Sequence, residues 1–247
     1  MVFIHAGIAD RRMWEPQWAS FGPGRRLLRC DLAGFGDSPL ERLPVTNARD
    51  VVELMEALGV ESATLVGASI GGRVALEIAV ARPGLVSALV LAAPGLPGGG
   101  RSAAVEAYAA AEDDAVARGD LAAAAEVNLR FWVDGPRRPA AAVDPAFRAR
   151  AAVMLRRAFE LQAPHWDQLD EDLLVPDVAD RLGEVRAPAL VLVGDADIDD
   201  MQRNAARIAA GIPRARLEPI ADAAHLPSLE RPGAFDGRAL TFLAGLR

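Results

Sequence analysis

Short apolar runs alternate with amphipathic stretches along the N-terminal part of the chain. The apolar runs predict strands and the amphipathic stretches predict helices, because the two patterns follow the periods of these elements. Strands that alternate with helices form a mostly parallel sheet covered by helices. The predicted segments are a strand over Val2–His5, a helix over Arg11–Ser20, a strand over Arg25–Cys30, a helix over Ala48–Leu58, a strand over Ala63–Gly67, a helix over Ile70–Ala81 and a strand over Ala88–Ala92.

The alternation stops after Pro94. Leu96–Gly100 is a linker rich in proline and glycine, and residues from Arg101 to about Arg181 form alanine-rich segments that predict helices. The earlier pattern then resumes, with strands over Ala189–Val193 and Ala215–Ile220 and helices over Asp200–Ala210 and Pro232–Leu246. The sequence therefore predicts an α/β core formed by residues 1–95 and 181–247, with residues 96–180 inserted as a helical cap.

Charge and cysteine content limit the class of partner. The 247 residues carry a formal net charge of −7, which disfavours binding to a phosphate backbone. No apolar run is long enough to span a membrane, and the N-terminus lacks the pattern of a secretory signal. The single cysteine, Cys30, cannot form an intramolecular disulfide. We expect a cytoplasmic protein that binds neither nucleic acid nor membrane.

Gly67-Ala68-Ser69-Ile70-Gly71 follows a predicted strand and begins a predicted helix. This G-x-S-x-G pattern in this context is typical of a nucleophile elbow, where glycines permit a sharp turn that lifts a serine hydroxyl off the sheet. Ser69 is therefore the candidate nucleophile. A glycine-rich turn without a catalytic role is the alternative that the pattern alone leaves open.

A serine hydroxyl is a weak nucleophile and needs a base. Of the three histidines, His225 lies just beyond the last predicted strand, where ligands bind in open α/β folds. His5, at the end of the first strand, is expected to be structural. His165 lies in the predicted cap.

Asp197 is the candidate for the carboxylate that orients the imidazole, since it follows the strand over Ala189–Val193. Asp195, Asp199 and Asp200 lie in the same loop, and an acidic turn that caps the next helix is the alternative for each aspartate. The order Ser69, Asp197, His225 is that of nucleophile-elbow enzymes.

Acyl transfer also needs donors for the negative charge that develops on the carbonyl oxygen. The backbone N–H of Ile70, directly after the nucleophile, is one candidate. The loop after the first strand supplies the other, and Gly7 is its best candidate.

Several motifs now stand in one order along the chain. They are His5-Ala6-Gly7, the loop Asp31–Ser38, the Ser69 elbow, Gly194–Asp197 and the stretch from Ala224 to Pro232. In these motifs the sequence resembles the α/β-hydrolase superfamily, in particular its small lidded esterases, enol-lactonases and cofactor-free haloperoxidases. The resemblance implies a Ser69, Asp197, His225 triad, an oxyanion hole at Gly7 and Ile70, and a cap over the pocket.

The sequence departs from the family pattern at several points. Ala6 and Ala224 stand where the family often has glycine, and the loop that carries Asp197, called the acid loop here, lacks a proline after its aspartate. The β-hairpin that usually precedes the strand beginning at Val2 is expected to be absent. An open first strand would need protection by a partner, which leaves a homo-oligomer possible.

The predicted reaction is hydrolysis of a small carboxylic ester or lactone through an acyl-enzyme on Ser69, with no metal or organic cofactor. Hydrolysis of a carbon–carbon bond in a ring-cleavage product, or a small-molecule binding module with little turnover, are alternatives. The cap residues Phe131, Trp132, His165 and Trp166 are candidates for the substrate pocket, although helix packing would also explain them. Peptidase action would need a cap carboxylate such as Glu126, Asp134, Glu160 or Asp167, which a solvated acidic face also explains.

Overall fold

A computed structural model of the chain describes residues 1–98 and 100–246. Gly99, in the predicted linker Leu96–Gly100, and Arg247, at the end of the predicted core segment 181–247, lie outside the described residues.

The strands of the described chain form one parallel sheet with the order β2-β1-β3-β4-β5-β6. Their bounds are β1 Val2–Ile4, β2 Leu28–Arg29, β3 Ala63–Ala68, β4 Val86–Ala92, β5 Ala189–Gly194 and β6 Ala215–Ile220. The order reverses at β1, because the chain passes first to β2 on one side and then to β3 on the other. Such a reversal opens a crevice at the carboxyl ends of the strands.

Helices cover both faces of the sheet. They are α1 Glu15–Phe21, α2 Asn47–Ala57, α3 Ile70–Ala81, α4 Ala103–Ala117, α5 Leu121–Asn128, α6 Pro145–Gln162, α7 Asp199–Gly211, α8 Pro227–Glu230 and α9 Pro232–Ala244. A parallel sheet covered by helices confirms the predicted fold class.

Alternate residues of the central strands enter separate apolar clusters, as the period of a strand requires. Leu89 and Leu91 pack in the cluster that contains α2, α3 and α7. Val90 packs in the cluster on the opposite face, which contains α1, α9 and parts of α5 and α6. Burial on both faces explains why the central strands are apolar apart from Thr64 and Ser87 near their starts.

The chain between β4 and β5 contains α4, α5, a π-helical segment over Leu129–Asp134, and α6, followed by a 3-10 segment over Ala163–Gln168. The prediction that helical structure continues to Arg181 is wrong after Gln168. The N–H of Val45 donates to the carbonyl of Asp170, and the N–H of Asp172 donates to the carbonyl of Val45, both at 2.9 Å. These long-range hydrogen bonds replace helical ones, and Pro176 could not donate a helical bond.

Smaller differences also have local causes. The strand predicted over Arg25–Cys30 is reduced to Leu28–Arg29, because its start lies in a turn with Gly24 at φ 72°, where the N–H of Arg25 donates to the carbonyl of Gly22. The short helix α8 has no apolar period of its own and was not predicted. Among the described residues, none of the helices combines the length and the apolar character needed to cross a membrane.

Leu91→Ala tests the central packing. Leu91 is fully buried in β4, so truncation should lower the free energy of unfolding by about 2–5 kcal/mol, through lost apolar contact and a residual cavity. Leu217→Ala, the same change at a position of edge strand β6 that is 40 % exposed, is the matched control. Urea unfolding followed by circular dichroism measures both, and equal losses would contradict the described burial.

Candidate active site

Ser69 lies in the turn between β3 and α3, with φ 51° and ψ −114°. A positive φ is uncommon for a residue other than glycine, and such conformations cost of order 1–3 kcal/mol. The N–H of Ser69 donates to the carbonyl of Ala92 at 2.9 Å, and its own carbonyl accepts the N–H of Gly95 at 2.9 Å. The strained turn is therefore held by neighbouring backbone.

The glycines of the turn are required by the close approach of backbone to backbone. A Cβ at Gly67 would lie 2.6 Å from the carbonyl carbon of Gly71, and a Cβ at Gly71 would lie 2.6 Å from the carbonyl oxygen of His5. Real Cβ atoms do not approach so closely, so neither position accepts a side chain without a shift. This contact brings Ser69 to the end of β1.

The structure brings His225 and Asp197 to Ser69. Nε2 of His225 lies 2.8 Å from Oγ of Ser69, and Nδ1 of His225 lies 3.0 Å from Oδ2 of Asp197. With the imidazole neutral, these distances fit an Nδ1–H that donates to the carboxylate and an Nε2 that accepts the serine proton. His225 and Asp197 are buried, whereas Ser69 is partly exposed as a residue.

The loops that carry Asp197 and His225 pack directly on each other. The N–H of Ala196 donates to the carbonyl of Ala223 at 2.9 Å. A Cβ at Gly194 would lie 2.5 Å from the carbonyl carbon of Ala223, so only glycine permits this approach. The second carboxylate oxygen of Asp197 accepts the N–H of Ile198 at 2.8 Å, which fixes the carboxylate towards His225.

The other aspartates of the acid loop point elsewhere. Asp195 and Asp199 are exposed, and Asp199 pairs with Arg137. Asp200 accepts a hydrogen bond at 2.8 Å from the hydroxyl of Ser102, the N-cap residue of α4. Asp197 is thus the member of this loop that contacts His225.

Gly7 and Ile70 lie side by side, since a Cβ at Gly7 would be 2.5 Å from Cδ1 of Ile70. Within residues 1–98 and 100–246, neither N–H donates to a protein acceptor. His5 supports this loop, because its Nε2 accepts the N–H of Leu32 at 2.9 Å and its Nδ1 donates to the carbonyl of Ala6 at 2.8 Å. Burial lowers the pKa of His5, which keeps it neutral in this structural role.

The predicted cap residues divide into two groups. The ring of Trp132 lies 4.4 Å from the ring of His225, and Phe131 packs edge-on against Trp132 at 4.8 Å. Trp166 instead donates its indole N–H to Asp113 at 2.9 Å and packs on Phe159. His165 precedes Trp166 in the same 3-10 segment.

Sequence reasoning missed Tyr108, the only tyrosine of the chain. Its ring stacks on Phe131 at 4.6 Å, and its hydroxyl lies 2.8 Å from Oδ1 of Asn128 and 3.0 Å from Oε1 of Glu112. Burial raises the pKa of Glu112 and of Tyr108. The spacing of Tyr108 and Glu112 by one helical turn was the available signal, but the contact with Phe131 depends on how α4 packs.

A cleft of about 610 Å³ lies beside the turn of Ser69. Its lining includes Trp132, Gly95, Leu96 and Arg73. The N–H of Gly95 donates to the carbonyl of Ser69, and the ring of Trp132 packs at a tilt against that of His225, so the cleft reaches the direct neighbours of both residues. Small-molecule pockets of proteins have volumes of this order.

Comparison with known proteins gives one family over nearly the whole chain. A sequence profile described as the alpha/beta hydrolase family matches residues 1–237. The 2-hydroxy-6-oxo-6-phenylhexa-2,4-dienoate hydrolase of Burkholderia cepacia is 27 % identical, over 99 % of this chain and 87 % of its own.

Solved structures of hydrolases share this fold. A hydrolase from Pseudomonas aeruginosa has a TM-score of 0.76 and 27 % identity, over 98 % of this chain and 88 % of its own. Est816, described as an N-acyl homoserine lactone degrading enzyme, has a TM-score of 0.76 and 25 % identity, over 98 % of this chain and 92 % of its own.

Gly71→Ala tests the contact on which the Ser69 turn depends. The added methyl group would overlap the carbonyl of His5, so we expect a loss of about 1–3 kcal/mol in the free energy of unfolding. Gly84→Ala is the control, because a Cβ there meets no atom within 4 Å. Urea unfolding compares the two variants, and equal stability would mean that the turn opens to accept a side chain.

Proposed function

The chain belongs to the alpha/beta hydrolase family, and on that premise we propose that it is a serine hydrolase of small carboxylic esters or lactones. The observation that carries the proposal is the series of hydrogen bonds from Ser69 through His225 to Asp197. A hydroxyl bonded to an imidazole that is in turn bonded to a buried carboxylate is the arrangement that activates a serine.

In the proposed reaction, Oγ of Ser69 attacks the substrate carbonyl carbon while Nε2 of His225 takes the hydroxyl proton. Asp197 holds the imidazole in the required tautomer and stabilises the imidazolium that forms. His225 then gives the proton to the departing alkoxide, which leaves an acyl group on Ser69. Water activated by the same imidazole releases the acid.

The carbonyl oxygen becomes negatively charged during both additions and needs donors. We assign the N–H groups of Gly7 and Ile70 to this role. Their neighbouring positions and their lack of protein acceptors among the described residues support the assignment.

The substrate is proposed to bind in the cleft beside Trp132 and Gly95. Trp132 presents aromatic surface next to His225 and is backed by Phe131, which suits the apolar part of a small ester or lactone. The likeness to an enzyme that degrades N-acyl homoserine lactones supports a lactone among the substrates. A pocket role for His165 and Trp166 stays a prediction from the sequence.

Carbon–carbon bond hydrolysis is the second candidate, and the relative that acts on a phenylhexadienoate favours it. The same attack by Ser69 on a ketone would serve that reaction, but the leaving carbon must also receive a proton before the bond breaks.

Three of the four cap carboxylates considered for peptidase action already pair with arginines, and Asp167 is the fourth. Glu126 and Asp134 both pair with Arg148, and Glu160 pairs with Arg157, so these groups already have cationic partners. A substrate ammonium group would have to displace them.

Substitution of the proposed triad tests the mechanism. Ser69→Ala and His225→Ala should each lower kcat for p-nitrophenyl acetate by roughly 10³-fold or more, because nucleophile and base act as a unit. Asp197→Asn should lower kcat by about 10²-fold or more, whereas Asp199→Asn, in the same loop but exposed and paired with Arg137, should leave kcat unchanged.

A fluorophosphonate probe should label Ser69 of the wild type and should not label Ser69→Ala. A folded wild type that is inactive and unlabelled would leave the binding module as the better account.

A comparison of substrates separates the two hydrolytic reactions. We expect kcat/KM of the wild type to be higher for p-nitrophenyl acetate and a small lactone than for 2-hydroxy-6-oxo-6-phenylhexa-2,4-dienoate. The ester and lactone supply their own oxygen leaving group, whereas the dienoate needs proton delivery to carbon. A kcat/KM for the dienoate that exceeds the others tenfold would reverse the assignment.

A further inference from the structure

The cap segment from Trp132 to Arg138, called the clamp segment here, lies across the loops that carry Asp197 and His225. Its first contact is with the backbone of the base: the N–H of His225 donates to the carbonyl of Trp132 at 3.2 Å. The indole of Trp132 covers the imidazole at 4.4 Å. A residue of the cap therefore holds His225 by both its main chain and its ring.

Gly135 brings the clamp segment against both loops at once. It has φ 76°, and a Cβ there would lie 2.7 Å from the carbonyl oxygen of Ala196 and 3.1 Å from Cβ of Ala224. Ala196 precedes Asp197, and Ala224 precedes His225. The approach is possible only because Gly135 has no side chain and adopts a left-handed backbone.

All three guanidinium nitrogens of Arg138 donate hydrogen bonds that connect the clamp segment to the loop of His225. Nε donates to the carbonyl of Asp134 at 2.8 Å, and one terminal nitrogen donates to the carbonyl of Val133 at 3.0 Å. The other terminal nitrogen lies 2.9 Å from the carbonyl oxygen of Asp222 and 2.6 Å from Oε1 of Glu230. The rigid fork thus ties the end of the π-helical segment to the loop of His225.

Glu230, the partner of Arg138, also contacts Ala224, the residue before His225. Its second carboxylate oxygen accepts the N–H of Ala224 at 2.9 Å. The side chains of Arg138 and Glu230 are only 12 % and 3 % exposed, so the ion pair is weakly screened by solvent. Removing one partner would leave a buried charge without compensation.

The turn at the start of the His225 loop also needs this support. Asp222 has φ 55°, in the left-handed region that an aspartate enters only at a cost. Its carbonyl accepts hydrogen bonds from Arg138 at 2.9 Å and from Arg231 at 3.1 Å. Charged donors on that carbonyl stabilise the turn from which the loop to His225 departs.

We propose that Arg138 is a positioning residue for the base, because it fixes the loop from Asp222 to Glu230 against the cap and thereby sets the distance from His225 to Ser69. The inference rests on the proposed serine hydrolase function. Arg138 does not line the cleft beside Trp132, so its loss should affect the reacting geometry more than substrate binding.

The test compares Arg138→Ala with Arg130→Ala in the hydrolysis of p-nitrophenyl acetate. Arg130 belongs to the same π-helical segment, but it is 74 % exposed and pairs with Glu126 one turn away. Arg138→Ala should lower kcat by about 10- to 100-fold and leave KM within about twofold, since a small misplacement of the base slows proton transfer. Arg130→Ala should leave both constants within about twofold of the wild type.

Chemical rescue separates positioning from loss of fold. Millimolar guanidinium ion should restore part of kcat to Arg138→Ala, because the ion can occupy the space that the side chain vacates, and should not change Arg130→Ala. If Arg138→Ala does not fold, Arg138→Lys decides, since it keeps the charge but not the fork and should still lose kcat at least fivefold. A kcat equal to that of Arg130→Ala, or a loss that appears mainly in KM, would overturn the proposal.

A readout without turnover keeps this inference distinct from the proposed function. The chain holds three histidines, so the imidazoles of ¹⁵N-histidine-labelled protein can be resolved by NMR and assigned with single variants. The Nδ1 proton of His225, hydrogen-bonded to Asp197, should shift or broaden in Arg138→Ala or Arg138→Lys and stay unchanged in Arg130→Ala. An unchanged resonance would overturn the positioning role, even if the wild type hydrolyses no ester.

Discussion

The arrangement at the centre of the molecule depends on one close contact between backbones. The first turn of α3 lies directly on the ends of β3 and β1, with no side chain between them, because Gly67 and Gly71 stand at the points of approach. Any larger residue would separate α3 from the sheet and would remove the restraint that keeps Ser69 at a positive φ. The sheet supplies the rigidity for this contact, since β3 and β4 are buried on both faces. The free energy gained by burying the core therefore offsets the unfavourable backbone conformation of Ser69.

A second close backbone contact lies at the loops that carry Asp197 and His225. Gly194 allows the loop after β5 to lie on the loop that carries His225, again without a side chain between them. The imidazole of His225 and the carboxylate of Asp197 are both buried, so their hydrogen bond is weakly screened, while Ser69 is only partly buried. Backbone contacts therefore determine the positions, and burial determines the strength of the interactions between the side chains.

Local sequence patterns predicted the core well because its elements carry their own signals. The alternation of strands and helices, the glycines around Ser69, and the placement of Asp197 and His225 after strands can each be recognised within a few residues.

The structure of the cap could not be predicted in the same way. The alanine-rich helices predict helical structure but not its orientation, since alanine covers every face alike. Besides local contacts, Tyr108 and Arg138 each bond a residue 20 or more positions away, and the stretch after Gln168 takes its conformation from hydrogen bonds with Val45. Tertiary contacts of this kind leave no local pattern.

The hydrogen bond from His225 to the carbonyl of Trp132 ties the insertion to the core at the residue that we propose as the base. A helical insertion that only covered a pocket could be exchanged between related proteins as a module. Here an exchange would also replace the main-chain partner of the base, so a new cap must bring an equivalent carbonyl and an equivalent close approach to the loops below it. A change of the insertion and a change in the support of the proposed base are therefore linked.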